Sequence, residues 1–528
     1  MIESILRFAI ERRLLIVCFS LAIAAVGLWQ YQRLAIDAVP DITNVQVQIN
    51  TAAPGYSPLE SEQRITYPIE TALFGLPRLA HTRSLSRYGL SQVTVVFEEG
   101  TDIYFARNLI NNRLATLKTV LPAGIEPAMG PTTTGLGEIF MYTVSAEPGA
   151  KNAKGAPYSI TELREIQDWI IKPQLAQVKG IVEINSIGGY NKQYHITPDP
   201  KKLLYYQLTT RDIVKALNKN NSNRGAGYIE RNGEQLLVRS PGQLTHMDEI
   251  ANVIVAEHSK IPVKIADLAN IAIGRELRSG AATQNGEETV LGTAMMLIGE
   301  NSRTVARNVA AKFHSLQASL PPGVNATAVY DRTTLVDKAM ATVAKNLLEG
   351  ALLVITVLFF LLGNLRAALI TAAVIPLSML ITITGMVKTG VSANLMSLGA
   401  LDFGLIVDGA VIIVENTVRR LAQAQQNRGP MVLKERLNTV YEATVEVIRP
   451  SLFGILIITL VYIPIFSLTG VEGKMFHPMA ATVVMALLAA MGLSLTFVPA
   501  AVAIFLRGKI NTTESRAITS IKYLYRPL

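Results

Sequence analysis

Apolar and polar positions divide the chain into a helical start, a long mixed stretch and a series of apolar blocks. Ile2, Ile5, Leu6, Ala9 and Ile10 recur at helical spacing between Arg7, Glu11, Arg12 and Arg13, so the N-terminus reads as an amphipathic helix. The apolar run Leu14–Trp29 follows and predicts a first membrane span, giving a segment 1–30. A signal peptide is the rival; no small-residue cleavage site follows the run, which favours a span.

Residues 31–340 read as a water-exposed domain. Val45–Ile49 alternates like a half-buried strand. Ser57, Pro58 and Glu60 spell a capped helix start. Strands are predicted near Ala80–Ser86 and Gln92–Phe97, then a helix from Asp102 to Lys118. The order strand, helix, strand, strand, helix then repeats. Glu138–Ser145 is a strand, Ser159 and Glu162 cap a helix reaching Val178, strands follow near Ile181–Ser186 and Lys192–Thr197, and a helix near Arg211–Asn218. Two such runs predict tandem ferredoxin-like subdomains. A third stretch holds a strand at Val290–Ile298, a helix at Arg303–Leu316 and a strand at Asn325–Tyr330. The part near 225–273 reads as a strand-rich insertion.

Within 341–509, apolar blocks predict spans at Asn346–Leu362, Ala367–Val387, Asn394–Asn416, Ile448–Leu468 and Ala480–Leu506. With the first they make six, each long enough for about 30 Å of hydrocarbon. The expected fold is therefore a six-span membrane α-helical bundle with a large α+β domain of tandem ferredoxin-like subdomains. Arg12 and Arg13, Arg366, the group Arg419, Arg420, Arg428, Lys434 and Arg436, and Arg507 with Lys509 fall on one side, predicted cytoplasmic. The large domain then lies in the periplasm of a bacterium. Residues 510–528, with Ile518, Ile521 and Leu524 at helical spacing, are expected to be a cytoplasmic amphipathic segment that is cut short.

Composition agrees. Of 528 residues half are hydrophobic and only 17% charged, below the roughly 25% usual for soluble domains. The net charge of +9 comes from residues gathered at span ends, without a basic patch interleaved with aromatics, so nucleic acid is not an expected partner. The lone Cys18 excludes an internal disulfide and a thiolate metal cage, and reads as a small packing residue.

The fourth span carries the chemistry. It runs from Leu398 through Asp402, Gly404, Asp408, Gly409 and Ala410 to Glu415 and Asn416, with three carboxylates in one apolar helix. Asp402 and Asp408 lie about 5 Å either side of its centre at Leu405, at 1.5 Å per residue. A carboxylate there costs about 2.5–3.5 kcal/mol. Burial raises a carboxyl pKa toward the range where it can load and release protons. At 100° per residue Asp408 and Glu415 share a face, while Asp402 points about 120° away, which suits a vertical proton relay better than one metal cluster. Gly404, Gly409 and Ala410 let neighbouring helices approach. The competing reading of each acid is structural; for Glu415 it is an ion pair with Arg419 at i+4. Asp402-Phe403-Gly404 matches a kinase magnesium motif by chance, with no glycine-rich loop present.

Other sites are weaker. None of the six histidines is paired at i+4 or in an HExxH frame. Glu472, Met475, His477 and Met479 could form a metal entry point, but a plain surface loop between spans five and six is the simpler reading. Met295 and Met296 read as strand packing, and Glu349 as a solvated residue near the outer end of span two.

The run Asp402-Phe403-Gly404, Asp408-Gly409-Ala410, Glu415-Asn416 resembles the span-four signature of heavy-metal efflux pumps of the resistance-nodulation-division superfamily, most closely the cobalt–zinc–cadmium branch. The copper/silver branch lacks the first aspartate and has alanine after the second. Asp37-Ala38-Val39-Pro40-Asp41, Pro54-Gly55-Tyr56-Ser57-Pro58, Gly75-Leu76-Pro77 and Gly473-Lys474-Met475-Phe476-His477-Pro478-Met479 also resemble that family. The last of these strengthens the bland reading of His477. The resemblance implies a homotrimeric inner-membrane pump that exchanges protons for divalent cations (zinc, cobalt, cadmium, with nickel in the same set). It implies a periplasmic adaptor and an outer-membrane channel as partners, membrane lipid around the bundle, and no cofactor. Asp402, Asp408 and Glu415 match the acids that family members need for proton-coupled transport. Which residues would bind metal is not readable from it.

Family members have twelve spans and two large periplasmic domains, so the chain corresponds to the first half. A split-pump subunit needing a separate second-half polypeptide, a truncated product and a fragment are the alternatives. Two other functions compete: a relative exporting drugs or other solutes on the same architecture, and a non-transporting remnant. An intramembrane aspartyl protease needs aspartates on facing helices, whereas Asp402 and Asp408 sit on one helix and face apart.

Overall fold

Val47, Ile49, Thr51 and Ala53 are buried while Gln48 and Ala52 are exposed, so the alternation seen in the sequence becomes a strand with one covered face. In the computed structural model this strand, β1 (Gln46–Ala53), begins a four-stranded antiparallel sheet. The structure describes residues 2–37, 40–277, 280–362, 364–399, 403–428 and 431–506. With β2 (Leu79–Arg87), β3 (Gly89–Phe97) and β4 (Pro127–Met129) the order is β2-β3-β1-β4, with Ile49 opposite both Val93 and Met129. Ser57 starts the first covering helix with a complete capping box: its hydroxyl accepts from the Glu60 N–H, and its own N–H donates to Glu60 at 3.0 Å. Ile65, Ile69 and Leu73 from that side, and Ala106, Ile110 and Leu114 of helix Ile103–Thr116, close the core over Val47, Ile49, Val93 and Val95. This is a contiguous βαββαβ unit, called unit one below.

Unit two repeats the arrangement with a long interruption. Its first strands are β5 (Glu138–Ala146) and β6 (Ile181–Ile187), joined through the helical segment that Ser159 and Glu162 cap. The chain then leaves. β7 (Lys192–Pro198) pairs not with β6 but with a strand far ahead. β8 (Arg224–Arg231) and β9 (Glu234–Ser240) form a hairpin, as do β10 (Ile254–His258) and β11 (Ile261–Lys264), and β12 (Ala269–Arg275) returns beside β7. Ile213, Ile250, Val263, Ile265 and Leu268 give this excursion a core of its own. The short β13 (Ala282–Gln284) leads into β14 (Glu287–Met296), and β15 (Val324–Asp331) closes the unit. β14 pairs with β5 and β6, and β15 with β5, giving β6-β14-β5-β15, the same relative order as in unit one.

The predicted second repeat is corrected here. Strand Lys192–Thr197 and helix Arg211–Asn218 belong to the excursion, which is wider than 225–273, and the third stretch completes unit two. Phe140, Tyr142 and Phe313 form its aromatic centre, with ring centroids 4.9–6.2 Å apart. Gly292 is required there: a Cβ would lie 2.2 Å from Tyr142 Cζ, so only glycine lets that ring cross the strand. Burial pushes the Tyr142 hydroxyl well above the usual tyrosine range.

The apolar blocks become helices. Among the described residues five segments are long and apolar enough to cross a membrane: Arg13–Tyr31, Leu365–Thr389, Met396–Gln426, Leu433–Ser467 and Gly470–Leu495. The remaining predicted span is the apolar part, Leu348–Val357, of a helix that begins earlier than expected, at Arg332. The last block breaks at Thr496 into Gly470–Leu495 and Phe497–Phe505. The loop expected at Glu472–Met479 is helical instead; the helix runs through Pro478, as apolar packed helices tolerate. Helix Ile2–Glu11 buries Leu6, Ala9 and Ile10, three of the positions its periodicity selects. Cys18 is exposed on its apolar helix rather than packed. Residues 507–528, including Arg507, Lys509 and the predicted amphipathic segment, lie outside the described residues.

Candidate functional site

The acid-bearing helix is built from its entry loop. Gly390 ends the preceding helix at φ 71°, a left-handed turn that suits glycine. Asn394 and Ser397 then cap each other: Ser397 N–H donates to Asn394 Oδ1 at 2.8 Å, and Asn394 N–H donates to Ser397 Oγ at 3.0 Å. Both are buried. Asp402 lies outside the described residues; the helix is described from Phe403 to Arg428.

Its two faces differ. Ile406, Val407, Gly409, Ala410, Ile413 and Val414 are buried in the bundle core, whereas Gly404, Asp408 and Glu415 are exposed. The structure thus keeps Asp408 and Glu415 on one face and Gly409 with Ala410 on another, and puts Gly404 on the acid side. Gly409 is a point of close packing. A Cβ there would lie 2.9 Å from Ile455 Cδ1, 3.1 Å from Ser451 Oγ and 3.2 Å from Ser494 Oγ. Helices Leu433–Tyr462 and Gly470–Leu495 both close on it.

At its far end the competing structural reading, an ion pair between Glu415 and Arg419, does not form. Arg419 donates instead to Asn416 Oδ1 at 2.8 Å, and Asn416 donates to the Ala443 carbonyl at 2.8 Å. Arg420 meets Glu446 at 2.9 Å and ties the acid helix to helix Leu433–Tyr462. The sequence reading missed Glu446; an acid just ahead of the apolar run at Ile448 was its only signal.

The weaker candidates lie on elements other than the acid helix. Among the described residues no group of three or more His, Cys, Asp or Glu side chains is placed to hold a metal ion. His477 stacks at 5.8 Å on Phe466. Glu349 forms an exposed i,i+4 contact with Lys345 at 3.8 Å. Met295 accepts from Asn185 Nδ2 at 3.0 Å, and Met296 packs on the core of unit two.

Residues 5–527 match the family described as AcrB/AcrD/AcrF. The chain is 60% identical over its whole length to the cobalt-zinc-cadmium resistance protein CzcA of Cupriavidus metallidurans, covering 50% of that protein. It is 62% identical to the protein HelA of Legionella pneumophila over 98% of this chain and 49% of that one. Among solved structures it resembles a heavy metal efflux pump with a TM-score of 0.82 at 31% identity, over 98% of this chain and 51% of the other. The chain spans about half the length of the curated relatives it matches.

Proposed function

The chain belongs to the AcrB/AcrD/AcrF family, and from that premise we propose that it is half of a proton-driven efflux pump for divalent heavy-metal cations. It is a secondary transporter rather than an enzyme. Its bundle sits in a bacterial inner membrane with both sheet units in the periplasm. The assembled pump is a trimer that works with a periplasmic adaptor and an outer-membrane channel. The naming of a 60% identical relative for cobalt, zinc and cadmium supports that substrate set.

One observation carries the reading. The acid helix buries its small-residue face and leaves Asp408 and Glu415 on its exposed face. Carboxylates exposed to lipid are costly, and a second half-bundle packed on that face would take it out of lipid. Asp402, Asp408 and Glu415 then serve as the proton relay, with Gly404, Gly409 and Ala410 as the small residues around it. Each inward proton supplies about 2.3 kcal/mol per 100 mV and about 1.4 kcal/mol per pH unit. Metal taken up outside the inner membrane never crosses that potential, so proton energy is spent on cycling the sheet units.

Zinc tolerance tests this. Zinc-sensitive bacteria making the chain together with a second-half polypeptide should tolerate severalfold more zinc, and Asp408→Asn should abolish the gain. An undiminished gain in Asp408→Asn would contradict the assignment.

A further inference from the structure

Two short helical pieces wall a slot at one end of the bundle. Pro376 and Pro499 have no N–H to give the turn before them. Each apolar helix is interrupted just ahead of its proline. One divides at Ala373 into Leu365–Ala372 and Val374–Thr389, the other at Thr496 into Gly470–Leu495 and Phe497–Phe505. Between the pieces Leu365–Ala372 and Phe497–Phe505 lies a cavity of about 680 Å³, within the usual size of a small-ligand site. Arg366, Leu369, Ala373, Phe497, Ala501 and Phe505 line it. Leu369 and Phe505 are each 51% exposed, so the slot opens on the outside of the bundle. No described residue of the acid helix lines it.

Charge and apolar surface are separated along this slot. Among the described residues that line it, Arg366 alone is charged. From Arg366 to Ala373 the wall rises about 10 Å at 1.5 Å per residue, and every lining residue beyond the arginine is apolar. Two further features make the arginine end positive. Arg366 stands at a helix start, where its N–H donates to Asn364 Oδ1 at 3.0 Å and the helix dipole adds partial positive charge. Arg436 donates to the Ala503 carbonyl at 3.1 Å, which sets a second guanidinium against the last turn of the opposite wall.

We infer that this slot binds one anionic phospholipid, with an acyl chain between the two walls and the phosphate at Arg366. A basic pocket between membrane helices, at the membrane face where arginines gather, is the setting in which acidic lipid headgroups are held. A free phosphate shares the headgroup chemistry but leaves the apolar walls unused. A neutral lipid uses the walls, but its headgroup cation offsets the attraction to Arg366. This inference is independent of the transport reading.

Native mass spectrometry of the full chain in detergent tests it, with equimolar phosphatidylglycerol and phosphatidylcholine of matched acyl chains. One phosphatidylglycerol should be retained over phosphatidylcholine by about fivefold, the preference that one arginine near a membrane surface supplies. Arg366→Gln should remove the preference. Arg12→Gln, at an exposed cation ahead of the first span, should keep it. Ala373→Trp fills the deep end of the slot and should lower retention of both lipids. Should Arg366→Gln fail to fold, Leu369→Glu puts a negative charge one turn away and should remove the preference. Equal retention of the two lipids, or an unchanged preference in Arg366→Gln, overturns the inference. Displacement of the lipid by inorganic phosphate also overturns it, in favour of a free-anion site. Retention that appears only after residues 507–528 are removed gives the slot to the chain's own end, and retention lost when a second-half polypeptide binds gives it to that partner; either result rejects the lipid.

Discussion

In unit one the chain stays within a continuous stretch from β1 at Gln46 to β4 at Met129, and Lys474 from a membrane helix donates to the Thr43 carbonyl ahead of β1. In unit two the same strand order is completed only after the chain has left at β7 and returned at β12, and Asp37 meets it at the helix start Ser302 rather than at the sheet. Asp337 adds a further hold on unit two, meeting Arg303 at 2.7 Å and Arg307 at 3.3 Å. One fold is used twice, each copy closed around its own core.

Core truncation should separate the two units most strongly. Phe140→Ala removes a buried ring of unit two and should cost ~3–5 kcal/mol. Hydrogen exchange should rise in β5, β14 and β15 and stay unchanged in β1 and β3. Equal loss in both units would mean that they unfold as one. The capping boxes should sharpen the likeness instead. Ser57→Ala and Ser159→Ala each remove the same pair of bonds and should each cost ~1 kcal/mol in thermal unfolding. The carboxyls of Glu60 and Glu162 are both held below the usual range. For Glu60 the Ser57 backbone N–H is the main cause. For Glu162 burial pushes upward, and the bonds from Ser159 and Asn152 outweigh it.

The smallest effect should come from Asp337→Asn, ~0.5–1 kcal/mol and confined to unit two. Burial alone would raise the Asp337 carboxyl, but Arg303 and Arg307 hold it below the usual range. The folded form thus favours the charged carboxylate. Its contribution is present above the ordinary aspartate pKa of about 4 and is lost as pH falls through the lowered value. Acid titration should loosen the start of helix Ser302–Leu316 in the parent and have no such effect in Asp337→Asn, as read by hydrogen exchange.

What the sequence made legible was local. Both capping boxes, the alternation through Val47 and Ile49, and the shared face of Asp408 and Glu415 depend on spacings of two to seven residues, and each appears where that spacing puts it. What it hid was remote pairing. Lys192–Thr197 has the pattern of a strand but carries no mark saying that its partner is β12, and the pattern alone points to the nearer sheet. Pro478 and the polar residues about it imitate a loop, because helix-breaking rules from water lose force where neighbouring helices pack closely. The contacts of Lys474, Ser302 and Asp37 leave no local mark, since each meets groups hundreds of residues away. The candidate site was therefore readable along one helix, and contacts between remote segments were not.

If Asp408 carries protons in exchange for metal, proteoliposomes holding the chain with a second-half polypeptide, with a pH dye trapped inside, should show zinc-dependent proton flux that vanishes in Asp408→Asn. Flux continuing at the parent rate in Asp408→Asn would contradict it.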